Sequence, residues 1–356
     1  MNRYQRQIAL SEIGITGQQK LTAAKVLVVG AGGLGCPVLQ NLAAAGVGTI
    51  GVVDGDLVEE SNLNRQFLYR NSDCGKSKAS AAAASVINQN PNTNVIPFTS
   101  DFNSNNAFEI VDGFQIIVDC TDNLPTRYLI NDVALAKGMP MVYASIHQFE
   151  GQLSVFNYQN GPTYRCLFPE KANLESISCE DAGVVGVIPN LLGVMQANEV
   201  LKIILGIGAV LSGKLWLYDG LQALSQIIFI EKNPLEIQHG LQIGLALRKQ
   251  TQHKEVNAID AGDFLAAIEN EENIIIDLQD DFEEPNLNLP NIQKVPIDQL
   301  EKYLESIDKN QKIILLCQYG NKSQLAANYI LKMGYNRVSH LHRGIAALEQ
   351  TNLFQS

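Results

Sequence analysis

Long uninterrupted hydrophobic runs are missing from this chain of 356 residues. Its greasiest stretch, 191–211, is broken by Gln196, Asn198, Glu199 and Lys202, so it cannot span a bilayer and no membrane partner is expected. The opening MNRYQRQ lacks the apolar core of a signal peptide. Paired cysteines are missing too. Cys36, Cys74, Cys120, Cys166, Cys179 and Cys317 are scattered without a disulfide framework, which reads as reduced thiols in a cytoplasm. Basic charge is scarce: the net charge is −11, and neither residues 1–240 nor the remainder carry the basic surplus of a nucleic-acid binder. With 46% hydrophobic and 18% charged residues the chain is globular, and its length exceeds one ordinary core, which predicts two domains.

What is present is organised around residues 25–56. Val26 to Val29 is an apolar, β-branched-rich run ending at Gly30, the pattern of a buried parallel strand. Gly30, Gly32 and Gly35 then form a G-x-G-x-x-G pattern, with Gly33 inside it: a tight turn, close backbone approach and helix-on-strand packing. Residues 34–45 are helical in composition, and the N–H groups opening such a helix point at a phosphate. A second strand, 49–53, ends in Asp54, placed to accept a hydrogen bond from a ribose hydroxyl. Strand, turn, helix, strand and acid in this order make a nucleotide site, which by itself says dinucleotide more readily than ATP.

The next segment tips the balance. A loop rich in Asn and Ser precedes an Ala-rich helix that is expected from Gly75 onward. It is either a plain connector or a phosphate site, because Asn62, Arg65, Gln66 and Lys78 put two cations and two amides where triphosphate oxygens would lie. Hydride transfer has no need of that charge. A further buried strand, 115–118, leads into Asp119-Cys120-Thr121-Asp122-Asn123. Asp122 at the carboxyl end of a central strand is a candidate Mg²⁺ ligand, and equally an N-cap for a helix starting near Pro125. Cys120 is expected only to pack. Strands follow at 141–145 and 151–158, then an irregular segment, 166–189, with Cys179 near its centre; loops of that length are functional or mobile, although most lone cysteines only pack. Arg3 to Leu10, holding Arg6, reads on its own as a solvated helix.

Residues 241–257 have weak periodicity and read as a linker between a domain at 1–240 and a smaller α/β domain at 258–356. In the second domain an acidic run between Glu269 and Glu284 reads as a solvated face. Cys317 follows the strand 312–316, and its short loop wraps onto a helix N-terminus, a setting that stabilises a thiolate and binds an anion beside it.

RYxRQ, GxGGLG, DxDxVExSNLxRQ, GKxK, DCTDN, SCxDAGVxG and QAxEVLKxxLG occur in order. Together they resemble the ubiquitin-activating-type adenylyltransferases of the MoeB/ThiF (HesA) family over residues 1 to about 235, and the CxxGxxS loop resembles a rhodanese domain. The resemblance implies a Rossmann-like α/β domain followed by a smaller rhodanese-like α/β domain. It implies ATP- and Mg²⁺-dependent adenylylation of a small ubiquitin-fold sulfur carrier ending in Gly-Gly, then sulfur transfer to give a thiocarboxylate for molybdopterin- or thiamine-type biosynthesis. A cysteine desulfurase or other persulfide donor would supply the sulfur. Carried over by position, Gly30, Gly32, Gly33, Gly35, Asp54, Asp56, Asn62, Arg65, Gln66, Lys78 and Asn123 bind nucleotide, and Asp122 serves Mg²⁺. Arg6 resembles an arginine supplied across a homodimer interface. Cys179 matches the crossover-loop cysteine, and Cys317 would carry the persulfide.

Two departures stand out. Family members commonly bind Zn²⁺ through two C-x-x-C pairs, which here read Thr163-Tyr164-Arg165-Cys166 and Glu236-Ile237-Gln238-His239, so no zinc site is expected. Rhodanese domains often carry arginines where this chain has Gln279 and Gln318, so thiosulfate is expected to be a poor donor. An NAD-dependent oxidoreductase, disfavoured by Arg65, Lys78 and Asp122, and a non-catalytic scaffold for a ubiquitin-fold partner are the alternatives.

Overall fold

The structure, a computed structural model, describes residues 3–169, 183–252, 256–270, 272–279 and 291–348. They form two units, 1–250 and 251–356, each built on its own sheet.

In the first unit, β1 (Lys25–Val29), β2 (Thr49–Val53), β3 (Asn94–Phe98) and β4 (Ile116–Asp119) pair in parallel. β5 (Met141–His147) joins β4 in parallel, and β6 (Glu150–Phe156), β7 (Lys214–Asp219) and β8 (Leu224–Phe229) continue the sheet antiparallel. The order is β3-β2-β1-β4-β5-β6-β7-β8, so the chain reverses direction of travel across the sheet at β1. A crevice opens beyond the carboxyl ends of the strands at such a switch point. The period-2 geometry explains why β1 is apolar throughout: Val26 and Val28 enter one core, Leu27 and Val29 the other. The first core is closed by the helices Gly35–Ala45, Lys78–Gln89 and Val187–Leu205, the second by Leu124–Lys137. Leu27 is fully buried, and its truncation to Ala would cost about 2–5 kcal/mol.

The second unit has an all-parallel sheet, in the order β11-β10-β12-β13-β9. Its strands are β9 (Asn257–Ile259), β10 (Ile274–Asp277), β11 (Ile292–Lys294), β12 (Lys312–Leu316) and β13 (Arg337–Leu341). Cys317 follows β12 directly, and the helix Asn321–Lys332 follows Cys317.

Three sequence expectations change. The stretch 241–257, expected as a linker, is helical as far as Gln252, the end of the helix Pro234–Gln252, and 253–255 lie outside the described residues. Its apolar periodicity is weak because the helix packs within the first unit through Gly240 and Gly244 rather than a hydrophobic stripe: a Cβ on Gly244 would lie 2.1 Å from the Asp132 carbonyl oxygen. The Ala-rich helix begins at Lys78, capped by Ser77, not at Gly75. β3 was not anticipated; Pro97 weakens its pattern, and it is tolerated because β3 is the sheet edge. Among the described residues no helix is long and apolar enough to cross a membrane.

Candidate functional site

A cavity of about 800 Å³ opens at the carboxyl ends of β1, β2 and β4. Of the residues singled out from the sequence, it gathers Gly30, Gly32, Gly33, Asp54, Asp56, Asn62, Arg65, Gln66, Lys78, Asp122 and Asn123 on its walls. Gly30 turns the chain with φ +94°, and a Cβ there would sit 2.6 Å from the Cys120 carbonyl oxygen. Gly35 lies behind the turn, where a Cβ would meet the Gly30 carbonyl oxygen at 2.0 Å. Gly32, by contrast, faces open space: the nearest atom to a Cβ there is Gln66 Nε2, 3.7 Å away. The turn is therefore closed at its back and open at its front, the shape a phosphate group needs.

Asp54 does more than wait for a ribose. Its Oδ2 accepts from the Ala31 N–H at 2.8 Å and its Oδ1 from the Asp56 N–H at 2.9 Å, so it ties the glycine turn to the loop after β2. Burial raises its carboxyl above the usual range, opposed by those two N–H groups and by Lys78. Lys78 is buried in the wall, where its Nζ pairs with the exposed Asp56 at 2.7 Å. Arg65 donates through Nη1 to the Ser61 carbonyl oxygen at 2.9 Å and to Asn64 Oδ1 at 3.1 Å.

The helix after β4 is capped by Asn123, whose Oδ1 accepts from the Thr126 N–H at 3.0 Å, not by Asp122. Asp122 is thereby left exposed in the cavity, with no hydrogen bond or ion pair to another described residue. Gln66 is buried with its Oε1 unpartnered among the described residues. An open glycine turn, cations, an unpaired carboxylate and an orphaned buried amide fit a nucleotide with a divalent cation.

Sequence reasoning missed several walls: Asp101 and Phe102 behind β3, Ile146, Val184, and above all Arg127. Arg127 lies in the first turn of the Leu124–Lys137 helix, where the helix dipole disfavours a cation, and that anomaly was the available signal. A second cavity, of about 670 Å³ and lined by Asn64, Gln148, Phe149 and residues 183–186, shares Val184 with the first. Arg6, on the exposed helix Gln5–Ile8, does not line the nucleotide cavity of its own chain. Cys179 lies outside the described residues.

In the second unit Cys317 is buried, and its Sγ accepts from the Ser323 N–H at 3.2 Å with Ser323 Oγ 3.5 Å away. Ser323 Oγ also donates to the Gly320 carbonyl oxygen at 3.0 Å, closing the loop on itself. Gln279 is buried and donates through Nε2 to Gln318 Oε1, an uncharged amide pair at the two positions that lack arginine.

The residues at the corner where the family pattern has zinc do not fit the metal. Cys166 Sγ accepts from the N–H groups of Thr163 and Asn233, both at 3.4 Å. Cys166, Glu236 and His239 do not converge, and among the described residues no three His, Cys, Asp or Glu side chains do. Arg165 instead makes a buried two-pronged pair with Asp132, Nε to Oδ1 and Nη2 to Oδ2, both at 2.7 Å.

Similarity to known proteins follows the same division. The ThiF family model matches residues 4–236 and the rhodanese-like domain model residues 260–351. The adenylyltransferase and sulfurtransferase MOCS3 of Drosophila yakuba is 36% identical over 353 residues, which is 92% of this chain and 78% of that protein. The adenylyltransferase and sulfurtransferase UBA4 of Meyerozyma guilliermondii is 35% identical over 375 residues, 97% of this chain and 87% of that protein. A sulfur carrier protein adenylyltransferase of Thermus thermophilus is 47% identical over 240 residues, 66% of this chain and 89% of that protein. Among solved structures, E. coli MccB with ATP shares the fold, with a TM-score of 0.58 at 22% identity, over 66% of this chain and 73% of that one.

Proposed function

Because the chain belongs to the ThiF family and carries a rhodanese-like domain behind its ThiF unit, we propose that it adenylylates the C-terminal glycine of a small ubiquitin-fold sulfur carrier and then transfers sulfur to it. The observation that supports this best is the convergence of Arg65, Lys78 and Asp122 on one cavity with the open glycine turn. The carrier carboxylate attacks the α-phosphorus of ATP, the bond to the β-phosphate oxygen breaks, and pyrophosphate leaves. A carboxylate approaching a polyanion needs charge neutralisation and alignment more than a base. The glycine turn and Lys78 hold the phosphates, with Lys78 leaving Asp56 as they arrive; Arg65 neutralises charge, and Asp54 keeps the turn in place while meeting the ribose. Asp122 would hold Mg²⁺, which when bound shields the phosphate charge. The carrier tail reaches the nucleotide through the second cavity, past Val184. Sulfur held as a persulfide on Cys317 then attacks the acyl carbon and AMP leaves, giving an acyl disulfide. A second thiol attacks the Cys317 sulfur of its S–S bond, so the thiocarboxylate leaves and the two cysteine sulfurs end as a disulfide that an external thiol reduces. The working form is a cytoplasmic homodimer that takes sulfur from a cysteine desulfurase or another persulfide donor.

The test is ATP–pyrophosphate exchange with carriers ending in Gly-Gly. Exchange that requires both carrier and its terminal glycine is expected. Tight NAD binding, with no exchange for any carrier tried, would overturn the proposal in favour of a dehydrogenase.

A further inference from the structure

We propose that the buried Asp119–Arg127 pair is a positioning device that holds the Asp122 carboxylate where it meets the metal on the nucleotide; this rests on the nucleotide reading above. Asp122 makes no bond of its own to a described residue, so its place depends on its neighbours. They are pinned on both sides. Before it, Asp119 Oδ1 accepts from the Thr121 N–H at 3.0 Å and from Thr121 Oγ1 at 2.6 Å. Arg127 Nη2 donates to the Thr121 carbonyl oxygen at 2.8 Å. After it, Asn123 caps the helix. Asp119 is itself anchored: Gln196 Nε2 donates to its carbonyl oxygen at 2.7 Å, and the Cys120 N–H donates to the Val29 carbonyl oxygen at 2.8 Å. Thr121 and its flanks are thus held by four separate elements of the fold.

Stability alone does not explain the pair. Asp119 is fully buried and Arg127 nearly so, and two charges taken out of water are usually no better than well-packed apolar residues. The geometry is not that of a tight ion pair either: Arg127 Nε and Asp119 Oδ2 stand 3.8 Å apart, and neither atom has a hydrogen-bond partner among the described residues. Arg127 also sits in a helix's first turn, against the dipole. What the pair does achieve is a single Arg127 bond to the Thr121 carbonyl from one side while Asp119 grips its N–H and hydroxyl from the other. A carboxylate held in advance by such supports loses less on meeting a cation.

The experiment measures ATP binding to the full-length protein by calorimetry, with Mg²⁺ and again with EDTA, alongside thermal unfolding and Mn²⁺ binding by electron paramagnetic resonance in the presence of ATP. In Arg127→Met the metal-dependent gain in ATP affinity should fall about tenfold, the scale of one lost charge-assisted hydrogen bond. Metal-free ATP affinity should stay within about twofold of wild type, and Mn²⁺ should bind correspondingly more weakly. Arg127→Lys, which keeps the charge but lacks the rigid planar guanidinium, should lose about threefold, as should the milder Thr121→Val. Combining Arg127→Met with Asp122→Asn should be no worse than Asp122→Asn alone. A folded variant that keeps the full metal-dependent gain overturns the proposal, and so does one that loses metal-free and metal-loaded affinity in parallel. If wild type itself shows no metal-dependent gain, the nucleotide-and-metal reading falls and the proposal with it.

Discussion

Replacing Arg165 by Met tests what holds the corner where relatives place a metal clip. In the native chain Arg165 meets Asp132 through two bonds of 2.7 Å, with both side chains at most 3% exposed, and its guanidinium lies 4.7 Å from the Tyr128 ring centroid. Arg165→Met leaves the Asp132 carboxylate buried with little beyond the Asn131 amide, which donates to it at 2.9 Å. Breaking one side of a buried pair costs about 3–5 kcal/mol. Trp216 is the chain's single tryptophan and lies on β7 of the first unit, so its fluorescence during urea unfolding reports that unit within the full-length protein. At an m value of about 3 kcal/mol/M the midpoint should drop by roughly 1–1.7 M. The double variant Arg165→Met/Asp132→Leu should recover most of the loss, because a matched apolar pair carries no stranded charge. A single-variant shift below about 0.3 M, or a double variant no better than the single, would refute the reasoning.

Four further outcomes follow from the site. Asp122→Ala should unfold like wild type yet lower carrier-dependent pyrophosphate exchange by at least about 10²-fold, the scale of one lost electrostatic stabiliser; exchange within a few-fold of wild type would remove Asp122 from the chemistry. Arg6 does not line its own chain's cavity and in the proposed homodimer serves the other protomer's nucleotide, so Arg6→Ala should impair exchange, and mixing it with Asp122→Ala should restore part through hybrid dimers; a fully active monomer by light scattering would refute this. Elemental analysis should find no stoichiometric zinc, and chelators should leave the Trp216 midpoint unchanged; about one zinc per chain, lost in Cys166→Ala, is the contrary result. Cys317→Ala should keep full exchange while losing thiocarboxylate formation from a protein persulfide, read as the missing sulfur mass on the carrier; equal sulfur gain by wild type and variant would make the second unit dispensable.

The gathering of the candidate residues on one cavity was legible because their placement is local in sequence. A βαβ unit brings a glycine turn, an acid at the next strand end and the cations of the following loop together by chain geometry alone, so spacing carries the information. Arg127 was missed because its partner and its role are set by a loop conformation: nothing in the spacing says that Thr121 will turn its carbonyl toward a helix and its hydroxyl toward Asp119. Asp122 read from the sequence as either a metal ligand or an N-cap, and only the backbone decides that Asn123 takes the cap and leaves Asp122 in the open space. The Arg165–Asp132 pair joins positions 33 residues apart and is approached by a helix through Gly240, a contact with no periodic signature.

The two departures from the family pattern differ in consequence, and the difference lies in where they fall. None of Asp132, Arg165 or Cys166 lines the candidate nucleotide cavity, so the corner that lacks the metal ligands of the family pattern lies apart from its walls. Gln279 and Gln318 are another matter, since Gln318 is next to the thiol and its partner is buried against it. An amide pair presents dipoles where a guanidinium would present a full charge, and charge-assisted bonds are about twice as strong as neutral ones. A small dianion such as thiosulfate depends on that charge for binding. A persulfide on a donor protein does not, because the surface of its carrier can supply the binding energy. An amide pair at these two positions therefore fits the proposed transfer from a protein-borne persulfide better than transfer from thiosulfate.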